Sequence, residues 1–320
     1  MTDIPVLLQK ELTERFCLFS SAVISSNNAD NTTKMVLALK DEAKIESVLL
    51  SDNKNRLTAC LSTQVGCPCN CVFCKTGSLG FKRNLDSAEI VEQFLHLKNF
   101  CDNTSRGDAK TQSENKGKHT LDNIVFMGMG EPLLNLENVR KAISIFNDKK
   151  GLNFSQRRIT VSTCGICDSL FEIAEDGNFV RLALSLPTAN ENLRQLLMPI
   201  AKTNPLEKIK QALLLFQRNG GGRITLEVPL LGNINTSAKD ALSIASFAKG
   251  LKTVVNIIPW NPVSGLVFQG KPLLEPNKKE IQEYTSVLEN AKLKVTKRLH
   301  KGRSVLGACG QLGGFSVKNM

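Results

Sequence analysis

From about residue 55 onward, short β-rich apolar runs alternate with longer amphipathic segments, and no other feature of the chain restricts its fold as much. The runs LTACLST (57–63), NIVFMG (123–128), RITVST (158–163), VRLALSL (180–186), RITLEVP (223–229) and VVNIIP (254–259) predict strands. Between them, SAEIVEQFLHLKNF, LENVRKAISIF, LEKIKQALLLFQ and SAKDALSIASFAK carry helical spacing, and CDSLFEIAEDG reads as a shorter helix. After the sixth strand, NKKEIQEYTSVLENA places Ile281, Tyr284, Val287 and Leu288 on one helical face. Six βα units imply parallel strands, right-handed crossovers and one face that bears the strand C-termini. The expected fold class is therefore α/β, a partial (β/α)6 barrel, and functional motifs should gather on that face.

The barrel core is expected to span 55–291. Residues 1–54 read as a small N-terminal module: a helix at about 6–17, a polar loop SSNNADNTT, and two runs, KMVLALK and KIESVLL, able to pair as a hairpin. Residues 292–320 form a short C-terminal extension, and DNTSRGDAKTQSENKGKH (102–119) reads as a flexible surface excursion. The C-terminal extension holds Lys292, Lys294, Lys297, Arg298, Lys301, Arg303 and Lys318 with no acidic residue, in a chain of net charge +11. Such a surface favours a polyanion, because Lys and Arg release counterions on meeting phosphates. Phosphate contacts are expected from Lys297, Arg298, Lys301 and Arg303.

No apolar run approaches the roughly 18–20 residues of a membrane span, and the N-terminus does not read as a secretory signal. A reducing cytoplasmic setting is expected, where clustered cysteines bind metal or do redox chemistry more often than they form structural disulfides. Five of the ten cysteines fall within fifteen residues, Cys60 to Cys74. Cys17 and Cys101 fit ordinary packing, as small buried hydrophobes. Cys67, Cys71 and Cys74 have the spacing C-x3-C-x2-C directly after the first barrel strand. Three thiolates can hold three corners of a cubane cluster and leave one iron for a small chelating ligand. A zinc site would need a fourth ligand; Cys69 supplies one by counting, although its position between two other ligands is sterically awkward.

C-x3-C-x2-C at the end of a first barrel strand resembles the radical S-adenosylmethionine (SAM) superfamily, and MGMGEPLLN (127–135) resembles its segment that contacts the SAM amino group. Glycines at 128 and 130 would let the backbone approach a ligand closely. LTACLSTQVGC, GFKRNL, MGMGEPLLN, RRITVSTCG, LALSLPTAN, IIPWNP and GACGQLGG occur in the order seen in the RlmN/Cfr family of RNA adenosine methyltransferases, a resemblance that covers roughly residues 35 to 315.

The resemblance implies a radical SAM barrel with a 4Fe–4S cluster on Cys67, Cys71 and Cys74, and SAM contacts at Gly130, Glu131, Ser162, Ser185, Leu186, Pro187 and Asn261. It implies that Cys309 carries the methyl group to an adenine ring carbon, that Glu46 removes the ring proton, and that Cys60 releases the product by closing a transient disulfide with Cys309. Small neighbours of Cys309 suit a mobile loop. The implied target is C2 of an adenosine in 23S rRNA, with tRNA a further candidate and C8 the alternative position. A low-potential electron donor such as flavodoxin or ferredoxin is the implied reductant, and a monomer is expected. A non-catalytic, zinc-stabilised RNA-binding protein is the alternative from another class. Three departures bear on the RNA bound: a shorter N-terminal module, RSVLGAC where an acidic pair is common, and a Cys164/Cys167 C-x2-C that reads as packing rather than a redox motif. Pro187 stands where the family usually has His, and proline has no N–H to offer.

Overall fold

The computed structural model describes residues 4–17, 19–107, 121–177, 179–297 and 302–315. Helix α1 (Val6–Arg15) precedes an antiparallel run of β1 (Ala22–Ala29), β2 (Thr32–Ala38), β3 (Lys44–Ser51) and β4 (Leu57–Cys60). A small antiparallel pair follows, β5 (Gln64–Gly66) with β6 (Phe81–Asn84), and then α2 (Ser87–Gly107). The barrel continues as β7 (Leu121–Phe126), α3 (Leu136–Asn147), β8 (Ile159–Thr163), α4 (Cys167–Asp176), β9 (Arg181–Ser185), α5 (Glu191–Leu197), α6 (Leu206–Arg218), β10 (Ile224–Leu230), α7 (Ala238–Ala248) and β11 (Thr253–Pro259). A two-residue pair, β12 (Val267–Phe268) and β13 (Lys271–Pro272), leads to α8 (Lys278–Asn290) and β14 (Val295–Lys297). One ten-stranded sheet runs β1-β2-β3-β4-β7-β8-β9-β10-β11-β14, parallel from β4 onward.

The helices form for the reason their spacing announced. α6 buries Leu206, Ile209, Ala212, Leu213 and Phe216, and α3 buries Leu136, Val139, Ala142, Ile143 and Phe146. Each set is a stripe at three- and four-residue intervals that faces the sheet. Ser237 with Asp240 and Asn277 with Glu280 close capping boxes at the starts of α7 and α8, which satisfies backbone N–H groups left open there. Tyr284 and Leu288 of α8 are fully buried, and Ile281 and Val287 pack beside them.

Three sequence expectations change. The polar stretch SSNNADNTT is not a loop: most of it lies in β1 and in the start of β2. Its turn is Asp30–Asn31, both at positive φ (52° and 57°), the geometry that two-residue hairpins require. β1 is the sheet edge and largely exposed, so polar residues suit it. Residues 295–297 of the basic extension add a seventh parallel strand beside β11. Residues 102–107 continue α2, while 108–120, most of the excursion expected at 102–119, lie outside the described residues. The N-terminal hairpin of β2 and β3 forms as expected and, through β3–β4 pairing, belongs to the same sheet as the barrel. Cys101 is buried as packing requires, whereas Cys17 is exposed. Among the described residues, no helix is long and apolar enough to cross a membrane.

Candidate active site

A cavity of about 190 Å³ opens at the C-terminal ends of the parallel strands. Cys67, Cys71 and Cys74 line it on one side, and Cys309 with Gly310 lines it on another. Gly130, Glu131, Ser162, Ser185 and Asn261 also face it, from the ends of β7, β8, β9 and β11. Leu186 and Pro187 are not among its lining residues. The N–H of Leu186 donates to the Glu227 carbonyl (2.8 Å), and the Pro187 carbonyl accepts from Asn235 Nδ2 (2.6 Å). Both are thus held by the protein's own framework.

The cysteine loop is pinned from four directions. Cys67 N–H donates to the Gly80 carbonyl (2.9 Å), Val72 N–H to Leu197 (3.0 Å), and Lys75 N–H to Gly310 (2.7 Å). The Trp260 indole donates to the Phe73 carbonyl (2.9 Å). Gly66, at φ +78°, precedes the first cysteine; a Cβ there would lie 1.9 Å from the Gly80 oxygen, so the turn into the loop requires glycine.

The segment 127–131 follows β7. Its glycines admit close approach, but by the chain itself: a Cβ on Gly128 would sit 2.6 Å from Ser62 Oγ, and one on Gly130 2.5 Å from Gln64 Cβ. Ser62 Oγ accepts from Met129 N–H (2.8 Å), and Gln64 Oε1 accepts from Glu131 N–H (2.8 Å). The Glu131 carboxylate is buried and accepts from the N–H groups of Leu133 (3.0 Å) and Cys164 (2.8 Å). Burial pushes its pKa up. A carboxylate removed from water in a cavity wall gains from a cationic ligand group, and the SAM ammonium is one.

The three motif thiols fit an iron–sulfur cluster by their own chemistry. The hydrogen bond to Cys69, together with burial, pushes the Cys67 thiol far above its usual range. Burial raises Cys71, which also feels Cys74, and burial raises Cys74. Three thiolates in one cavity wall, out of bulk water, would repel one another; bound iron would supply the positive charge that stabilises them together. Cys69 meets a second thiol besides Cys67: its Sγ lies 3.5 Å from Cys164 Sγ, and with Glu131 these two form a buried Cys–Glu–Cys cluster. Cys164 lines the cavity and Cys167 does not; the Cys167 N–H donates to Asn204 Oδ1 (2.8 Å).

The backbone around Cys309 is tied to its surroundings in this arrangement. The Cys309 carbonyl accepts from Asn261 Nδ2 (3.1 Å), the Leu312 carbonyl accepts from Thr76 Oγ1 (2.7 Å), and Gln311 Nε2 donates to the Pro262 carbonyl (3.0 Å). Cys60 is buried on β4 and does not line the cavity, and the ten cysteines form no disulfide. Glu46 is fully buried on β3; Lys34 Nζ donates to its Oε1 (3.0 Å) and Gly313 N–H to its Oε2 (2.7 Å). Arg303 is turned inward, donating to Asn261 Oδ1 (2.9 Å) and pairing with Glu275 (2.7 Å), so the phosphate role expected for it is not open in this arrangement. Arg298 and Lys301 lie outside the described residues.

Sequence reading missed Glu227, Trp260, Cys164 and Met198 in the cavity wall. Glu227 carried a signal, an acidic residue near the end of an apolar barrel strand. It also missed Arg194, fully buried, whose guanidinium donates to the carbonyls of Asn204 (2.7 Å) and Cys164 (2.9 Å) behind the cysteine loop.

The sequence profile of the Radical SAM superfamily matches residues 61–243. That superfamily uses a 4Fe–4S cluster and SAM. The chain is 45% identical over 320 residues to a probable dual-specificity RNA methyltransferase RlmN of Treponema denticola, covering 100% of this chain and 86% of the relative. It is 44% identical over 301 residues to the same-named protein of Treponema pallidum (strain Nichols), covering 93% and 82%. A crystal structure of a radical SAM methyltransferase from Sphaerobacter thermophilus superposes with a TM-score of 0.86 at 32% identity, over 98% of this chain and 86% of that one. Motif order, barrel and relatives agree: the chain belongs to the RlmN/Cfr family of radical SAM RNA methyltransferases.

Proposed function

We propose that this enzyme methylates C2 of an adenosine in 23S rRNA, with tRNA as a second substrate, and that Cys309 is the methyl carrier. The observation that carries this reading is Cys309 in the wall of the same cavity as Cys67, Cys71 and Cys74. A carrier cysteine has to meet SAM, and a cavity shared with the cluster thiols is where it can do so. The relatives' name, a probable dual-specificity RNA methyltransferase, agrees with an RNA substrate and with more than one target.

In this reading Cys67, Cys71 and Cys74 hold the cluster, and Gly130, Glu131, Ser162, Ser185 and Asn261 surround SAM. When bound, these groups supply the methyl group and the one-electron chemistry that activates it. The protein's own residues do the rest. Cys309 carries the methyl carbon on its sulfur to an electron-poor ring carbon that has no lone pair for direct displacement. Glu46 takes the ring proton onto a carboxylate oxygen. The Cys60 thiolate then attacks the Cys309 sulfur; an S–S bond forms as the carbon–sulfur bond to the RNA breaks, and the released electron pair stays with the methylene carbon, which takes up a proton to become the methyl group. A low-potential donor such as flavodoxin or ferredoxin feeds the cluster, and the enzyme acts as a monomer.

The test is anaerobic reconstitution with iron and sulfide, then turnover of wild type and Cys60→Ala on unmodified 23S rRNA and tRNA with SAM and a reductant. Wild type should yield 2-methyladenosine, and Cys60→Ala should stall as a protein–RNA adduct joined through Cys309. Mass spectrometry of the digested RNA identifying 8-methyladenosine instead would overturn the C2 assignment. Absence of an adduct in the variant would overturn the roles of the two cysteines.

A further inference from the structure

The strand register groups four residues that the sequence scatters. Lys34 on β2 lies opposite Val48 on β3, and Val48 lies opposite Cys60 on β4. Opposed residues share a face, as do residues two apart on one strand, so Lys34, Glu46, Val48 and Cys60 occupy the same side of the sheet. The C-terminal loop covers that side. A Cβ on Gly307 would meet Lys34 Cβ at 3.6 Å, and Gly313 N–H reaches Glu46 Oε2. Lys34 is only 2% exposed and Glu46 0%, so their ion pair is shielded from solvent.

A carboxylate in that position serves two neighbours at once. Oε1 is neutralised by the Lys34 ammonium, while Oε2 accepts a charge-assisted hydrogen bond from the backbone of the Cys309 loop, at Gly313. Gly313 lies only four residues beyond Cys309, so this bond ties the carrier's loop to β3. With Glu46 engaged in this way, Cys309 stays over the cavity and Oε2 is occupied by the loop.

Resting on the roles given above to Cys309 and Glu46, we infer that Lys34 is a positioning residue: it fixes the Glu46 carboxylate as a latch on Gly313, so that release of the Cys309 loop and opening of the base are one event. While Cys309 faces the cavity, the carboxylate is held by the loop. When the loop leaves to meet the adenine ring, Oε2 becomes available for the ring proton, and Lys34 keeps the carboxylate in place to receive it.

The test is peptide-resolved hydrogen–deuterium exchange over residues 307–315 of the reconstituted enzyme, read beside methylation. Lys34→Met should speed exchange there by on the order of tenfold or more, the worth of a hydrogen bond to a charged group, while Lys34→Arg stays near wild type. Unchanged exchange in a folded Lys34→Met overturns its positioning role. Removing one member of a buried pair can unfold a protein, so two charge-free variants keep the test decisive. Lys34→Met/Glu46→Gln retains a carbonyl acceptor for Gly313 and should stay protected; Lys34→Met/Glu46→Leu should lose protection. Equal exchange in these two variants overturns the latch. The base assignment fails separately: it falls if Lys34→Met/Glu46→Gln methylates RNA at the wild-type rate, whatever the exchange data show.

Discussion

Gly128→Ala puts the architecture of the cavity wall to a quantitative test. The new methyl carbon would lie 2.6 Å from Ser62 Oγ and 2.7 Å from the carbonyl carbon and oxygen of Leu61. Two of those three atoms are backbone, so no side-chain rotation relieves the overlap. The 127–131 segment and the end of β4 must separate by about 0.7 Å, an overpacking strain of roughly 1–3 kcal/mol. Separation also stretches the hydrogen bonds of Ser62 Oγ to Met129 N–H and to the Glu46 carbonyl, together worth about 1–2 kcal/mol. The expected loss is about 2–5 kcal/mol in urea unfolding of the metal-free protein. Because the same movement displaces Glu131, the Kd for SAM in the reconstituted enzyme should rise at least about tenfold. Gly222→Ala is the matched control: its Cβ meets nothing within 4 Å, and it should be neutral or slightly stabilising. If Gly128→Ala unfolds at the wild-type midpoint and binds SAM as tightly as Gly222→Ala, the reasoning from close approach is wrong.

Three further outcomes are expected. Asn235 is fully buried and serves Leu231 N–H, the Pro187 carbonyl and the Pro229 carbonyl, so Asn235→Ala should lower stability by roughly 3–6 kcal/mol as three groups are left unsatisfied; a change under about 1 kcal/mol in equilibrium unfolding would contradict that account. The raised thiols of Cys67, Cys71 and Cys74 hold their protons, which a metal must displace. Co(II) titrations of the metal-free protein should therefore tighten as pH rises, by up to about tenfold per pH unit for each proton released, and a flat or opposite trend counts against the site. Replacing exposed Lys292, Lys294 and Lys297 with Ala should flatten the salt dependence of RNA binding by about 0.7–0.9 for each phosphate that is no longer neutralised. Arg303→Ala should leave that slope unchanged, since its guanidinium is already paired with Glu275.

Periodicity made the barrel legible. The six predicted strands and the long helices between them each repeat a pattern over enough residues to be read locally, and the barrel topology then follows from right-handed crossovers. β14 escaped because three residues, one of them lysine, carry no readable alternation. β1 escaped because an exposed edge strand has no apolar face to announce it, although Asp30–Asn31 marked its turn. In the cavity, the cysteine spacing and the glycine-rich segment were visible as motifs. The buried polar contacts were not: Lys34 with Glu46, Arg194 with Cys164, and Asn235 with Pro187 each join residues whose pairing exists only after folding. The space that Gly128 and Gly130 leave is filled by Ser62 and Gln64 rather than by a ligand, which no local motif could reveal.

The hydrogen bond from Thr76 to Leu312 spans 236 positions of sequence. Its consequence concerns timing during synthesis. At about 5–20 residues per second, the motif cysteines emerge roughly 12–47 s before the partner that holds their loop from the C-terminal side. Trp260 and Gly310, which also hold that loop, come late as well. Through that interval the cysteines belong to a nascent chain whose anchoring contacts have not yet been made. The cavity is therefore completed last, and a truncated chain that lacks the final segment would keep most of its barrel but not the closed wall around its thiols.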